Sequence, residues 1–308
     1  MKLLSSDLAL EAVEGFRSIL QGFTKDSSLA HGYFDADLGT LWKDLISGGW
    51  HLLGAPEERN GAGFDLVDLT AISTEWGKYL LPLPFIPTLL ISRWSDVSRE
   101  VDQTTMLTYS LPATPGEEGG AGLSPFGGLS GATLIADLST LSHFNSSVSE
   151  IDGGAETDSW APSMPLFRNS GITLGMSPES LHEIAVLGAA ELVGVGVVVL
   201  DLASKYAHER IQFGRPIAEF QGVQHRLADM QRDLEMARIA VIWAANDQAK
   251  SLTAVQMAWD RARRMTQNCI QIHGGYGFTW ESGLHYYNRH VVAWGELLTA
   301  CGIRRWSM

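Results

Sequence analysis

The feature that most constrains the fold is the regular spacing of apolar residues from residue 177 to the end. Apolar side chains recur every three or four positions in four successive stretches, a period typical of helices with one buried face. The links between the stretches are short, so the sequence predicts a carboxy-terminal four-helix bundle. The four predicted apolar faces comprise Ile184, Leu187, Val195, Val198, Leu202 and Tyr206; Phe220, Val223, Leu227, Met230, Leu234 and Val241; Ala254, Met257, Ala258, Ala262, Met265 and Cys269; and Leu284, Tyr287, Val291, Trp294 and Leu298.

The chain before the bundle divides into two parts of different composition. Residues 1–103 again show helical spacing, whereas residues 104–176 are rich in Gly, Ser and Thr, with short apolar runs typical of strands. We therefore predict a mostly α chain with a small central β domain. Its three domains are an amino-terminal helical domain over 1–103, a reduced β domain over 104–176 and the four-helix bundle over 177–308.

Local patterns predict the ends of several elements. Asp7 is expected to cap the first helix, Asp65 opens a helix that runs toward Tyr79, and Asn60-Gly61-Ala62-Gly63 is expected to be a loop. The buried face of the first helix is predicted to contain Leu10, Val13, Phe16 and Leu20. Strands are predicted over 106–110, 132–136 and 171–174.

Composition excludes several classes of protein. The chain has 308 residues, is 45% hydrophobic and 19% charged, and carries a net charge of −13 that falls mainly on the amino-terminal half. This charge argues against nucleic acid or an anionic membrane as a partner. No apolar run approaches the ~20 residues of a membrane span, and the start of the chain lacks the apolar region of a secretory signal. Two cysteines and scattered histidines indicate neither a disulfide framework nor a metal site, so we expect a cytoplasmic protein.

Two motifs in the bundle combine hydrogen-bonding side chains with glycines. The first is Arg210-Ile211-Gln212-Phe213-Gly214-Arg215-Pro216-Ile217, and the second is Gln271-Ile272-His273-Gly274-Gly275-Tyr276-Gly277-Phe278. The planar guanidinium of arginine can bind two anionic oxygens at once. A Gly-Gly pair adopts unusual φ angles and exposes its backbone to a ligand. The two motifs together are typical of a diphosphate-binding site.

With these motifs, the chain resembles the acyl-CoA dehydrogenase family. The resemblance is dense from Glu191 to Arg289 and includes the stretch from Phe220 to Met230; it is weaker from Pro56 to Pro84 and nearly vanishes between Thr104 and Met176. In that family both motifs hold the diphosphate and adenosine end of FAD, which lies between neighbouring subunits. The resemblance implies FAD as cofactor and these contact residues: Arg210, Gln212, Phe213, Ile217, Phe220, Val223, Gln271, Ile272, Gly274 and Gly275. For His273, cofactor contact and a role in stabilising the turn are equally expected.

Other family features are absent from the sequence. The usual middle domain carries a Thr-Glu-Pro…Gly-Ser-Asp type loop and a Trp-Ile-Thr type strand that cover the flavin ring and the thioester; only Ser124-Pro125-Phe126-Gly127-Gly128 faintly resembles the first. The family's base is a glutamate at one of two positions, which here hold Leu298 and Ile184. Glu183 is the one weak catalytic candidate, because it is a single position out of register, and Glu296 is two positions out of register.

The resemblance implies a non-catalytic subunit of a heteromeric (α2β2) bacterial acyl-CoA dehydrogenase of steroid side-chain degradation. A catalytic partner subunit would hold the flavin ring and the acyl-CoA substrate, and an electron-transfer flavoprotein would be the acceptor. Two alternatives remain open. One is a self-sufficient homotetrameric dehydrogenase that uses Glu183 or another base. The other is a flavin-free scaffold with the same fold.

Overall fold

The chain was analysed as a computed structural model, which describes residues 2–24, 37–95, 106–109, 111–112, 122–126, 133–135, 149–150, 155–156, 161–164, 166–169 and 178–300. The α-helices of this part are α1 (Asp7–Thr24), α2 (Leu38–Ser47), α3 (Leu66–Gly77), α4 (Phe85–Trp94), α5 (Pro178–Glu209), α6 (Gln221–Asn246), α7 (Gln248–His273) and α8 (Leu284–Ala300). The four carboxy-terminal helices confirm the predicted bundle, and the fold is mostly α as expected.

Short strands lie between α4 and α5, and one further pair lies between α5 and α6. The strands are β1 (Met106–Thr108), β2 (Leu111–Pro112), β3 (Gly122–Pro125), β4 (Thr133–Ile135), β5 (Ser149–Glu150), β6 (Ala155–Glu156), β7 (Leu166–Asn169), β8 (Ile211–Gln212) and β9 (Arg215–Pro216). They form three sheets with strand orders β1-β4-β5, β2-β3-β7-β6 and β8-β9; only the β1–β4 pair is parallel. The strands predicted near 106 and 133 are present, and the one predicted over 171–174 lies outside the described residues.

Helix α5 is the centre of the molecule. It packs against α3 on one side and against α6, α7 and α8 on the others, and every residue from Ile184 to Gly196 is buried. By length and composition this helix could cross a membrane, a possibility that counting apolar runs in the sequence missed. However, 78% of its most apolar window is buried inside the structure, so it is the core helix of the fold.

The contact between α3 and α5 is unusually close because both helices present glycine. A Cβ atom on Gly77 would lie 2.0 Å from the Glu191 carbonyl oxygen, and one on Gly194 would lie 2.1 Å from the Thr74 carbonyl oxygen. Two hydroxyls cross the same contact. Ser73 Oγ donates to the Leu187 carbonyl at 2.6 Å, and Thr74 Oγ1 donates to the Ala190 carbonyl at 3.1 Å. Small side chains thus fix the amino-terminal helices against the bundle.

Two details of the first helix differ from the sequence prediction. Asp7 lies in the first turn rather than at the cap, because Ser6 Oγ accepts the hydrogen bond from the Ala9 backbone N–H at 3.2 Å. Leu10 is 52% exposed, and Ala9 takes its place on the buried face with Val13, Phe16 and Leu20. The helix is therefore rotated slightly from the predicted orientation. The prediction for Asp65 is confirmed, since its carboxylate caps α3 through the Asp68 N–H.

The close helix contact gives a direct test by substitution. Gly194→Ala should lower the free energy of unfolding by about 1–3 kcal/mol, because the new methyl group must push α3 away from α5. Gly22→Ala in α1 is the matched control, since no atom lies within 4 Å of its Cβ position. The control should raise stability by about 0.5–1 kcal/mol through helix propensity alone. Urea unfolding followed by circular dichroism measures both; equal stability of the two variants would contradict the account.

Candidate functional site

The two sequence motifs lie at the same end of the bundle. Tyr206, one turn before the end of α5, stacks on His273, the last residue of α7, with ring centroids 4.2 Å apart and planes inclined by 24°. Tyr206 also stacks on Tyr276, with centroids 6.2 Å apart. Helix α6 starts at this end as well, after the β8–β9 hairpin. Packing of these rings therefore brings together two motifs that are far apart in the sequence.

The first motif forms a tight β-hairpin. Strands β8 and β9 pair directly, and the two turn residues Phe213 and Gly214 both have positive φ, at 51° and 82°. Two positive φ values are typical of a type I′ turn, which normally contains Asn or Gly. A bulky residue in this region costs about 1–2 kcal/mol. Phe213 is nevertheless 92% exposed, so a strained backbone presents an aromatic ring to the exterior.

The polar side chains around this hairpin differ in whether they are free to bind a ligand. Arg210 is exposed, and its guanidinium makes no ion pair within the described part of the chain. Gln212 Nε2 donates to the adjacent Ile211 carbonyl at 2.7 Å, a local bond that a ligand could replace. The Arg215 guanidinium lies 4.4 Å from the centre of the Phe220 ring. Arg210 is thus the cation of this motif best placed to bind an anion.

The second motif ends α7 and leaves its backbone uncovered. Gly274 has φ 61° and ψ −139°, a region of backbone space that is essentially restricted to glycine. No atom lies within 4 Å of the position that a Cβ would take on Gly274 or on Gly275. Gln271 is exposed beside them, whereas the Ile272 side chain belongs to the core. Therefore only the backbone of Ile272 can contact a ligand on this surface.

His273 is a structural residue of this turn. Its side chain is buried, its Nδ1 lies 2.8 Å from the Cys269 carbonyl oxygen, and its ring stacks on Tyr206. Burial lowers the pKa of His273, which favours a neutral ring that donates from Nδ1 to the carbonyl. Burial also raises the pKa of the Cys269 thiol to about 12, so this cysteine is not nucleophilic. Of the two roles expected for His273, the geometry supports stabilisation of the turn.

The remaining predicted contact residues line the same end of the bundle. Ile217, Phe220 and Val223 are partly buried around the start of α6, where Gly222 faces open space. The amino terminus of a helix carries a partial positive charge that favours an anion. Large apolar side chains are also exposed here: Ile211, Phe213, Tyr276, Phe278 and Trp280. An arginine, side-chain-free glycines, a helix amino terminus and flat apolar groups together fit a ligand that combines a diphosphate with an aromatic base.

A second candidate region, between the strands and the helices, is closed. It lies beneath Pro125 and Phe126, the stretch that resembles the family's flavin-ring loop, and is also lined by Trp76, Tyr109 and Trp294. The cavity volume, measured as the space that the centre of a water molecule can reach, is about 10 Å³. Such a cavity holds at most one water molecule. Pockets that hold cofactors measure about 300–1,000 Å³. The described side chains therefore leave no cavity of cofactor size beneath Phe126.

Two features hold this region closed. The Trp294 ring packs directly on the α5 backbone at Gly188, where a Cβ atom would lie 2.2 Å from the ring. Beside it, a buried hydrogen-bonded relay joins the strand region to α8 and α5. Ser163 Oγ lies 2.9 Å from His290 Nδ1, and His290 Nε2 lies 2.8 Å from Glu191 Oε1. The helical spacing of the sequence does not reveal either feature, because both join residues that are far apart in the chain.

The positions of the family's base hold no carboxylate. Leu298 and Ile184 are buried apolar residues. The one-residue neighbour Glu183 is held in structural contacts: Arg93 Nε lies 3.1 Å from its Oε1, and Trp94 Nε1 donates to its Oε2 at 2.6 Å. Glu296 is exposed on the surface of α8. Neither family base position therefore carries a carboxylate, and the nearest one to Ile184, that of Glu183, is held in contacts with Arg93 and Trp94.

Comparison with known proteins identifies the class of this fold. Among solved structures, the ChsE4-ChsE5 complex from Mycobacterium tuberculosis superimposes with a TM-score of 0.77 at 18% identity, covering 98% of this chain and 96% of that chain. The steroid ACAD variant Tcur3481-Tcur3483 gives a TM-score of 0.75 at 22% identity, covering 94% and 93%. The fold is therefore that of the acyl-CoA dehydrogenases.

Sequence comparison agrees with the fold. A family model for the acyl-CoA dehydrogenase carboxy-terminal domain matches residues 169–293. The acyl-CoA dehydrogenase IpdE2 of Mycolicibacterium smegmatis is 29% identical, covering 86% of this chain and 86% of its own length. FadE34 of M. tuberculosis is 30% identical, covering 89% of this chain and 42% of its own length. The chain belongs to the acyl-CoA dehydrogenase family, whose cofactor is FAD.

The first prediction for this site concerns Arg210. Arg210→Ala should weaken FAD binding to the assembled protein by about one to two decades, because a charge-assisted contact to a diphosphate contributes about 1.5–3 kcal/mol. Arg232→Ala is the control: this exposed arginine pairs with Asp229 at 2.9 Å, farther along α6. Titration of the apoprotein with FAD, followed by fluorescence, measures the dissociation constant. An unchanged value for Arg210→Ala, or an equal loss in the control, would contradict the assignment.

Proposed function

We propose that this chain is the non-catalytic subunit of a heteromeric, FAD-dependent acyl-CoA dehydrogenase and completes the FAD site of a catalytic partner. One contrast carries the proposal: the end that bears Arg210 and Gly274 is open, whereas the cavity beneath Phe126, beside the stretch that faintly resembles the family's flavin-ring loop, is too small for a flavin ring. A chain with only the open end can contribute half of a flavin site. The other half must come from a second chain, in an assembly that we expect to be α2β2.

Each residue of the open end has a defined task in this proposal. The Arg210 guanidinium binds the diphosphate, and Gln212 exchanges its local bond for one to a phosphate or ribose oxygen. Gly274 and Gly275 let the backbone approach the same group, with Gln271 beside them. Phe213, Ile217, Phe220 and Val223 form an apolar wall for the adenosine. FAD, when bound, supplies the chemistry by accepting a hydride from the acyl β-carbon.

The proton of this reaction must go to a base on the partner. Glu183 is bonded to Arg93 and Trp94, and turning it toward a substrate would break both contacts. A carboxylate displaced by even about 1 Å loses about a hundredfold in rate. The self-sufficient homotetramer therefore receives no support from the structure of α5. The flavin-free scaffold is disfavoured by the strained Phe213 turn, which folding stability alone does not explain.

The substrate and the electron acceptor follow from the relatives. We propose that the substrate is an acyl-CoA thioester whose acyl group belongs to a steroid side chain. The similarity to a structure described as a steroid ACAD supports this proposal. In this proposal the partner supplies the pocket for the acyl group. An electron-transfer flavoprotein is the proposed acceptor of the flavin's electrons.

The visible spectrum of the purified chain tests the proposal. The chain alone should be colourless, and a yellow complex should form when it is co-expressed with a full-length dehydrogenase chain that carries the base glutamate. A yellow, active protein from this chain alone would contradict the proposal in favour of the homotetramer. A partnered complex that stays colourless would contradict it in favour of the scaffold.

Carboxylate substitutions test where the base lies. Glu183→Gln, Glu296→Gln and Glu281→Gln, the last directly after Trp280 at the open end of the bundle, should each leave the turnover of the complex within about threefold of the unaltered rate, because loss of a true base costs about 10²–10⁴-fold. Steady-state assays with an artificial electron acceptor and an accepted thioester measure this. The same change at the partner's base glutamate is the positive control. If one of the three abolishes activity while FAD stays bound, this chain supplies the base.

A further inference from the structure

The loop that begins with Gly274 and Gly275 is joined to α8 by a stack of three side chains. The guanidinium carbon of Arg289 lies 5.1 Å from the centre of the Trp280 ring. The His285 ring meets Trp280 edge to face, with centroids 4.4 Å apart and planes inclined by 76°. His285 and Arg289 are one turn apart on α8, so their side chains project from the same face of that helix.

The three side chains are suited to a weak contact that can open and close. Arg289 makes neither an ion pair nor a hydrogen bond within the described part of the chain, and its contact is the Trp280 ring. Burial, followed by the charge of Arg289, lowers the pKa of His285, which favours a neutral ring that does not repel the guanidinium. Trp280 is 61% exposed, and a cation–π pair at an exposed site stabilises only modestly. The stack is therefore not part of the buried core.

The loop needs contacts of this kind because its glycines have none. Gly274 has φ 61°, and no atom lies within 4 Å of the Cβ position of Gly274 or of Gly275. Side-chain packing thus holds neither residue, and glycine has the greatest backbone freedom to lose. At the near end of the loop, Tyr276 stacks on Tyr206 of α5. At the far end, Trp280 joins the loop to α8. Together the two contacts limit the directions that the Gly-Gly backbone can take.

We infer that the Trp280–Arg289 stack, completed by His285, is a clasp that holds the Gly-Gly loop in its ligand-binding shape before the ligand binds. Trp280 and Arg289 are then positioning residues, which raise affinity through the loop rather than by touching the ligand. A loop that is ordered in advance loses less entropy on binding. The identity of the ligand, the diphosphate of FAD, rests on the proposed function.

Limited proteolysis of the purified full-length chain without FAD tests the clasp itself. Chymotrypsin cleaves after Phe278, which lies in this loop, at a rate set by how often the loop opens. Arg289→Gln should speed this cleavage at least about threefold, because it removes the cation from the stack. Arg232→Gln, at an exposed arginine of α6 that pairs with Asp229, is the control and should leave the rate unchanged. Mass spectrometry of the fragments identifies the cleaved bond.

A double-mutant cycle in the assembled complex tests the positioning role. Trp280→Leu and Arg289→Gln should each weaken FAD binding about three- to tenfold. The variant with both substitutions should be within about twofold of the weaker single variant, because both changes break one contact. Trp280→Phe keeps an aromatic ring and should stay within about threefold of the unaltered complex. Arg210→Ala, which removes a direct contact, should multiply with Trp280→Leu.

The outcomes that would overturn the inference differ from those that would overturn the proposed function. An unchanged cleavage rate in Arg289→Gln would overturn the clasp. Losses of FAD affinity that multiply between Trp280→Leu and Arg289→Gln would overturn the positioning role, since each residue would then act on the ligand by itself. If Arg289→Gln does not fold, Arg289→Lys replaces it, with a smaller acceleration expected and none contradicting the clasp. Faster cleavage in a complex that binds no FAD would support the clasp and overturn the proposed function.

Discussion

The contact between α3 and α5 is the constraint on which the rest of the structure depends. Gly77 and Gly194 let the two helix backbones approach within a distance that any side chain would prevent. This contact fixes α5 against the amino-terminal helices at its middle, while α6, α7 and α8 surround the remainder. Because α5 ends at Glu209, its placement also determines where the hairpin with Arg210 projects. One pair of glycines thus positions a site several turns away.

The same close packing closes the space between the strands and the helices. Trp294 reaches the α5 backbone at Gly188, and together with Trp76 it fills the region beneath Phe126. The relay of Ser163, His290 and Glu191 ties the strand region down over the filled space. Large aromatic rings therefore fill this space beneath Phe126. The other end of the bundle is open instead. Its glycines face empty space, and Phe213 is exposed on a strained turn.

Much of this arrangement could be predicted from the sequence, because helical period and motif residues are local signals. The four bundle helices, the cap at Asp65 and the resemblance carried by the two motifs follow from short stretches of sequence. The meeting of the motifs through Tyr206 and His273 depends on packing between distant helices, which periodicity does not encode. The pairing of Glu183 with Arg93 is equally non-local. Residue counting could show only that Glu183 was out of register; the structure shows the contacts that hold it away.

The ten tryptophans illustrate the limit most clearly. Residue type does not distinguish Trp42, fully buried among the amino-terminal helices, from Trp294, which fills the space beneath Phe126. On α1, likewise, Ala9 is buried and Leu10 is exposed. The rotation of the helix about its axis determines which of the two side chains faces the core. Packing in three dimensions, rather than residue type alone, leaves the end of the bundle at Gly274 open and fills the space beneath Phe126.

The flavin content of the purified complex tests the central claim most directly. If this chain contributes only the diphosphate-binding end, each pair of one chain and its catalytic partner holds a single FAD. The account predicts one FAD per two chains, measured from the flavin absorbance after denaturation and from the protein mass of the same sample. One FAD per chain would mean that the region beneath Phe126 opens to hold a flavin ring, and would contradict the account.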